Sequence, residues 1–196
     1  MEIAAIILAA GESRRMGEPK ALVRYGQYSF LETVIRNFRN ADIENSVVVL
    51  GHESSRILEK VQHIPAQFVI NHNYSTGQFS SFQAGVTAVP NAAGAFLVLV
   101  DQPQIGSQII STLKEAFLTN PRSISIPTFK GRRGHPPIFP RSLFQEIVST
   151  PPTENAATII HRHSELVREI EIEDESILWN INTKKDLEEA RFRLKN

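Results

Sequence analysis

Short apolar runs alternate along this chain with segments of helical spacing, and each run ends in a polar or glycine-bearing stretch. Residues 3–8 are apolar at every position, too few for a buried helix, and lead into a glycine loop. This predicts a strand buried on both faces, central in a parallel sheet. Ser29 with Glu32 three residues on has the capping-box pattern. Leu31, Val34, Ile35 and Phe38 follow at helical spacing, predicting a helix over 30–39. Residues 46–50 are a second buried strand ended by Gly51, and Ile57, Leu58 and Val61 mark the next helix. Residues 67–70 read as a third strand, running into Asn71, and residues 77–89 as a helix with Ser80 and Ser81 in its first turn. Residues 95–100 are the most apolar strand, closed by Asp101-Gln102-Pro103, and Ile109, Ile110, Leu113, Ala116 and Phe117 mark a further helix.

Residues 123–127 continue the pattern as a strand. Strand and helix thus alternate four times, the signature of a Rossmann-like, three-layer α/β/α fold around a mostly parallel sheet. Its ligand loops should be those at the carboxyl ends of the strands, residues 9–20, 51–53, 71–81 and 101–104.

The rhythm breaks at 128–140, where glycine, proline and arginine predict a loop and then a short strand at 137–139. A helix over 154–163 and a strand over 166–172 follow. Thr183 with Asp186 caps a last helix, on which Glu189 and Arg193 are spaced to pair. Trp179 is expected in core or strand-end packing. With no repeat and no long linker, residues 1–196 read as one domain: a nucleotide-binding core over 1–127 and a small C-terminal elaboration over 128–196.

Composition narrows the classes. The 196 residues suit one such domain, and 41% hydrophobic with 21% charged residues is ordinary for a globular protein. Lys plus Arg and Asp plus Glu are 21 each, which argues against a general nucleic-acid or acidic-membrane surface while leaving room for a local basic pocket. The absence of cysteine excludes disulfides and thiolate chemistry. Glu2 precedes the first apolar run with no basic segment, so no signal peptide is expected. No run nears the roughly 18 apolar residues of a membrane span. The expectation is a cytoplasmic protein with no nucleic-acid or membrane partner.

The loop after the first strand carries Gly11, Ser13, Arg14, Arg15 and Gly17, with Lys20 behind Pro19. It fits neither GxGxxG nor the P-loop pattern. Glycines still let backbone N–H groups approach an anion, while arginine offers a charged fork and lysine a point charge, so a triphosphate cradle is expected. A turn with merely solvated arginines is the plain alternative. Asp101 brings a carboxylate to the same sheet edge, suited to Mg²⁺ shared with substrate phosphates, or simply to starting a turn before proline. Ser80 and Ser81 near a helix start can hold a ribose or phosphate, or cap the helix. The stretch 131–137, GRRGHPP, is a basic loop that could take an anionic acceptor or lie solvated. Asn180 could complete a Mg²⁺ shell or serve as a strand-end residue.

Leu8-Ala9-Ala10-Gly11-x-Ser13-x-Arg15-Met16-Gly17 with Lys20 resembles the opening signature of MobA-like nucleotidyltransferases. Gly77-x-x-Ser80-Ser81-x-x-x-Gly85, Asp101-Gln-Pro103, Gly134-His135-Pro136 and Asn180-Ile-Asn182-Thr183 are similar, in order, to further motifs of that family. Gly134-His135-Pro136 resembles the GHP of its molybdenum cofactor cytidylyltransferase branch, which usually has DIDT where this chain has NINT. The resemblance implies Mg²⁺-dependent transfer of CMP from CTP to molybdopterin, releasing pyrophosphate, with a molybdenum hydroxylase as a possible recipient of the product. LAAG in place of LAGG goes with CTP over GTP. It assigns Arg15, Lys20 and Asp101 to catalysis. Leu8, Ala9, Ala10, Gly11, Ser13, Asn71, Ser80 and Ser81 join Arg15 and Lys20 around the nucleotide. Arg132, Arg133 and His135 would face the acceptor, and Asp101 with Asn180 would hold the metal. A sugar or polyol phosphate transferase, and a non-catalytic cofactor carrier, are the competing readings.

Overall fold

The computed structural model describes residues 1–193. In chain order the elements are β1 (Ile3–Ala9), β2 (Arg24–Tyr25), β3 (Tyr28–Ser29), α1 (Phe30–Arg39), β4 (Ser46–Leu50), α2 (Ser54–Val61), β5 (Gln67–Ile70), α3 (Gln78–Ala88) and β6 (Gly94–Leu99). Then come α4 (Ser107–Thr119), β7 (Ile124–Phe129), β8 (Arg132–Arg133), β9 (Ile138–Pro140), α5 (Phe144–Ser149), α6 (Ala156–Arg162), β10 (Val167–Glu171) and α7 (Lys184–Arg193).

The main sheet runs β10-β7-β9-β6-β1-β4-β5, with β8 attached to β7. β1 lies at its heart, parallel to β4 and to β6, and β4 is parallel to β5. All seven residues of β1 are buried, as a strand covered on both faces requires. Side chains alternate across a strand. Ile3, Ala5 and Ile7 accordingly pack on one face with residues of α1, α2, α4 and α7, while Ala4, Ile6 and Leu8 pack on the other with residues of α3, α5 and α6. Each face holds a buried phenylalanine pair. Phe38 and Phe96 meet edge-on at 5.1 Å, and Phe82 and Phe139 lie 5.2 Å apart. The expected three-layer α/β/α architecture is therefore present.

Local signals behave as physical chemistry dictates. Ser29 and Glu32 form the reciprocal capping box that starts α1. Thr183 accepts from the Asp186 amide and Asp186 accepts from the Thr183 amide, which closes the start of α7 in the same way. Gly85 lets α3 lie against β1, since a Cβ there would stand 2.1 Å from Ile6 Cγ2.

The segment 128–140 holds the expected short strand, as β9, but departs from expectation around it. It is no simple loop: β8 folds back on β7 as a two-residue hairpin, and β9 inserts antiparallel between β6 and β7. Strand insertion depends on distant partners, which a local pattern does not register. Residues 1–127 and the described residues from 128 on therefore contribute to one sheet. The β2–β3 hairpin and the short α5 were also not foreseen. Glu189 and Arg193 do not pair. Arg193 instead binds Glu175, 3.1 Å away, and stacks 3.9 Å over the Trp179 ring, while Glu189 faces Lys185. Trp179 is accordingly half-buried under a cation rather than a core residue. No helix of the described residues is long and apolar enough to cross a membrane.

Candidate active site

A cavity of about 450 Å³ opens at the carboxyl ends of the central parallel strands. The end of β1 and its loop supply Leu8, Ala9, Ala10, Gly11, Ser13, Arg14, Arg15, Pro19 and Lys20. Tyr74, Gly77, Gln78 and Ser81 come from the turn into α3, Leu99, Val100 and Asp101 from the end of β6, and Asn180 and Asn182 from the approach to α7. Of the four loops expected to hold the ligand, 51–53 is the one that stays out. Gly51 lies beneath Tyr74, where a Cβ would meet the Tyr74 Cβ at 2.6 Å.

The β1 loop is folded by Ser13. Its φ of +53° turns the chain, and its carbonyl accepts from the Met16 and Gly17 amides. Its hydroxyl takes the Lys20 amide at 3.1 Å, bringing Lys20 back over the cavity. Met16 anchors the loop in the core. Among the described residues, no backbone N–H of residues 11–15 finds a protein acceptor. Gly11, Ser13, Arg14 and Arg15 of this run line the cavity, and unpaired backbone donors of this kind are ones an anion could take in place of water.

Lys20 is the hub of the site. Its Nζ donates to Asp101 Oδ2 at 2.7 Å and to Asn182 Oδ1 at 2.8 Å. Lys20 and Asp101 side chains are only 16% and 15% exposed, so their charges face each other with little water between. Asp101 Oδ1 is buried with no hydrogen-bond partner. Arg15 Nη2 reaches the same Asn182 oxygen at 3.0 Å, whereas Arg14 is exposed and pairs with Glu12. Asn182 is held in turn from the backbone. The Ile181 amide bonds the Asp101 carbonyl at 2.9 Å, and the Asn182 amide bonds Asp186 Oδ2 at 2.9 Å. Burial would raise the Asp186 carboxyl, but the Asn182 and Thr183 amides, the Thr183 hydroxyl and the Arg15 charge hold it below its ordinary range.

Asp101 presents a donor set of the kind Mg²⁺ takes. A buried carboxylate oxygen with no partner, beside amide oxygens and facing a cavity with phosphate-type donors, is hard-cation chemistry. No group of three or more His, Asp or Glu that could hold a metal occurs among the described residues. A metal here would accordingly rely on Asp101 and substrate oxygens. Asn180 lines the cavity, but its Oδ1 already accepts from Gln102 Nε2 at 2.7 Å.

The serine cluster divides. Ser81 lines the cavity; Asn71 and Ser80 do not. Asn71 is buried and donates to both hydroxyls, at 2.9 Å to Ser80 and 3.0 Å to Ser81, while Ser80 bonds the Gly77 carbonyl at 2.7 Å. These groups are spent shaping the turn, since a buried polar atom must be satisfied where it sits. Neither serine is the N-cap of α3, which is Gly77.

The expected acceptor residues lie outside the cavity. Arg132 and Arg133 are exposed on β8, and Arg133 pairs with Glu169 at the sheet edge. His135 is largely buried, not on an exposed loop. Its amide bonds the Ile177 carbonyl at 3.0 Å, and its Nδ1 has no partner. Burial holds this imidazole below its ordinary pKa, against the pull of Asp101 and of its bond to the Leu97 carbonyl. Gly134 is needed here because a Cβ would come within 2.6 Å of the Ile177 carbonyl oxygen. Sequence reasoning missed Tyr74 as a cavity wall and Asn182 as the partner of two cations. The second had a signal in its nearness to the Thr183 cap; the first had none.

The chain is similar to several known proteins along most of its length. Over 190 residues, 92% of this chain and 92% of the relative, the chain is 28% identical to nicotine blue oxidoreductase of Paenarthrobacter nicotinovorans. It is also 28% identical, over 96% of this chain and 95% of the relative, to molybdenum cofactor cytidylyltransferase of Escherichia coli K12. The crystal structure of Rv0371c from Mycobacterium tuberculosis H37Rv shares the fold at a TM-score of 0.83, with 23% identity over 98% of both chains. Residues 5–167 match the family model described as MobA-like NTP transferase domain. With a family match over most of its length and the three-layer α/β/α fold described above, the chain belongs to the MobA-like NTP transferase family.

Proposed function

We propose that the chain transfers CMP from CTP to a molybdopterin-type acceptor with release of pyrophosphate, using Mg²⁺. The observation that carries the nucleotide half is the cluster at the sheet edge: free amides of residues 11–15, Lys20 on Asp101, and Arg15 beside it. The acceptor half rests on the similarity to the Escherichia coli cytidylyltransferase over nearly the full length of both chains, and on the Gly134-His135-Pro136 motif.

Such a transfer needs in-line positioning of an acceptor phosphate oxygen against the α-phosphorus, and stabilisation of charge as the pyrophosphate departs. The 11–15 amides and Ser13 would hold the triphosphate. Arg15 and Lys20 would follow its negative charge from ground state to leaving group, an interaction that strengthens in the transition state. Asp101 would hold the metal, which supplies further neutralisation of the phosphate oxygens when bound. Ser81 and Tyr74, which line the cavity, would meet the nucleoside. Incoming triphosphate oxygens would replace Asp101 as partners of Lys20.

A pyrophosphate-release assay tests this reading. Each of CTP, GTP, ATP and UTP is offered with Mg²⁺, with and without molybdopterin. Acceptor-dependent release from CTP is expected. Release from GTP alone reassigns the nucleotide, and release only with a sugar or polyol phosphate reassigns the acceptor. The equally similar Paenarthrobacter relative favours a second reading, an oxidoreductase. Reduction of nicotine blue by an added two-electron donor, without pyrophosphate release, would carry that one instead. Nucleotide binding without turnover would point to a carrier.

A further inference from the structure

We propose that Tyr74 is the platform against which the base lies, held in place by His52, and that it gives affinity for the nucleoside without choosing among bases. The inference rests on the nucleotide reading above. Among the described residues that line the cavity, Tyr74 is the one aromatic. The sheet order places β6 on one side of β1, and β4 with β5 on the other. Asp101, with Lys20 bonded to it, marks the β6 side of the cavity. Tyr74, which stands over Gly51 just past the end of β4, marks the β4 side. A nucleoside triphosphate has the same polarity, a charged tail and a flat, uncharged head. With the tail on the cations and the free amides of residues 11–15, the head falls to the Tyr74 side, where a ring face is what a flat heterocycle packs against best.

The ring is mounted from below and from its tip. Gly51 lets it come down onto the strand ends, since a Cβ there would stand 2.6 Å from Tyr74 Cβ, 2.7 Å from Tyr74 Cγ and 2.9 Å from Ala10 Cβ. His52 is fixed by its own amide, which donates to the Ala10 carbonyl at 3.1 Å. Its Nδ1 lies 3.5 Å from the Tyr74 hydroxyl, and the two rings sit 6.0 Å apart at 60°. The loop after β4 thus stays out of the cavity and still acts on it. His52 is a positioning residue whose effect passes through Tyr74. A ring held before the ligand arrives has less freedom to lose when the base settles on it.

The same mounting explains why the platform does not select. Every base has a π-face, so stacking tolerates any of them. Strong discrimination comes from hydrogen bonds to groups that one substrate has and another lacks. The polar atom of the Tyr74 side chain is its hydroxyl, and that is already turned to His52.

Isothermal titration calorimetry of the full chain, with CTP, UTP, GTP, ATP and inorganic tripolyphosphate as probes, tests this, and thermal melts check that each variant is folded. Tyr74→Ala should bind each of the four nucleotides at least about fivefold more weakly, the loss expected of a missing stacking partner, and bind tripolyphosphate like wild type. Tyr74→Phe and His52→Ala keep the ring and lose its stay, so each should weaken nucleotide binding about two- to threefold. Nucleotide binding at wild-type strength in Tyr74→Ala overturns the platform. So does an equal loss of tripolyphosphate binding, which would mean that Tyr74 shapes the phosphate loop instead. Tyr74→Phe as weak as Tyr74→Ala would make the hydroxyl the contact and overturn the stacking. His52→Ala at wild-type strength overturns its positioning role, and a loss confined to one nucleotide overturns the indifference to base. Wild-type protein that binds none of the probes overturns the nucleotide reading, and this inference with it.

Discussion

Replacing Lys20 with methionine removes the ammonium while keeping most of the stem, and it leaves Asp101 facing a cavity wall with neither oxygen partnered. Breaking a fully buried ion pair from one side destabilises by about 3–5 kcal/mol. The two side chains here keep 16% and 15% of their surface in contact with solvent, so water reaches the stranded carboxylate and the loss should be about half that, ~1.5–2.5 kcal/mol. For a chain of this size each kcal/mol moves the melting temperature by roughly 2–4 °C, giving a fall of about 3–10 °C. Asp101→Asn leaves Lys20 on Asn182 and should be milder. In the double variant no stranded charge remains, so the two losses should fail to add by about 1 kcal/mol or more. Urea unfolding of wild type, both single variants and the double variant measures the cycle. Additive single effects would refute the idea that these two charges depend on each other in the folded protein. Turnover supplies a second reading: Lys20→Ala and Asp101→Ala should each be at least about tenfold slower, since each removes charge stabilisation from the transition state. A wild-type rate in either variant would mean the reaction occurs elsewhere.

Four further outcomes follow from packing and titration. Gly85→Ala should lower stability by about 1–3 kcal/mol in a thermal melt, because the added Cβ meets Ile6 at 2.1 Å between two buried elements. Ser29→Ala should lose about 1 kcal/mol from the start of α1. Burial acts to raise the Glu32 carboxyl, but bonds from Ser29 and the nearby His63 hold it below its ordinary 4.5. The stability it supplies is therefore complete above that value and is lost as pH falls through the lower folded value, and acid unfolding of Glu32→Gln should lack that component. Burial pushes the Tyr25 hydroxyl from 10.0 up to about 12, so its contribution is complete below pH 10 and is lost as pH rises towards 12. An absorbance titration in which Tyr25 ionised near pH 10 in folded protein would contradict its burial.

Much of the architecture was legible in the chain because its signals are local. The unbroken apolar run of β1 and the Ser29–Glu32 and Thr183–Asp186 pairs each act within one element, so their consequences could be read one element at a time. The glycine and cation content of the β1 loop likewise marked a charged turn at the end of a buried strand, and that loop lines the cavity. What the chain alone could not decide was which distant groups satisfy one another. β9 enters the sheet between β6 and β7 through long-range pairing that three residues do not advertise. Asn71 and Ser80, chemically suited to a ribose, are consumed by each other because they are buried together. Lys20, Asp101 and Asn182 lie far apart in sequence and meet only when the sheet edge and the α7 cap bring them within hydrogen-bond distance. Residue type and spacing determined the available chemistry, and tertiary packing decided which polar atoms were left free to use it, since a polar group already bonded to its neighbours is not free to meet a substrate.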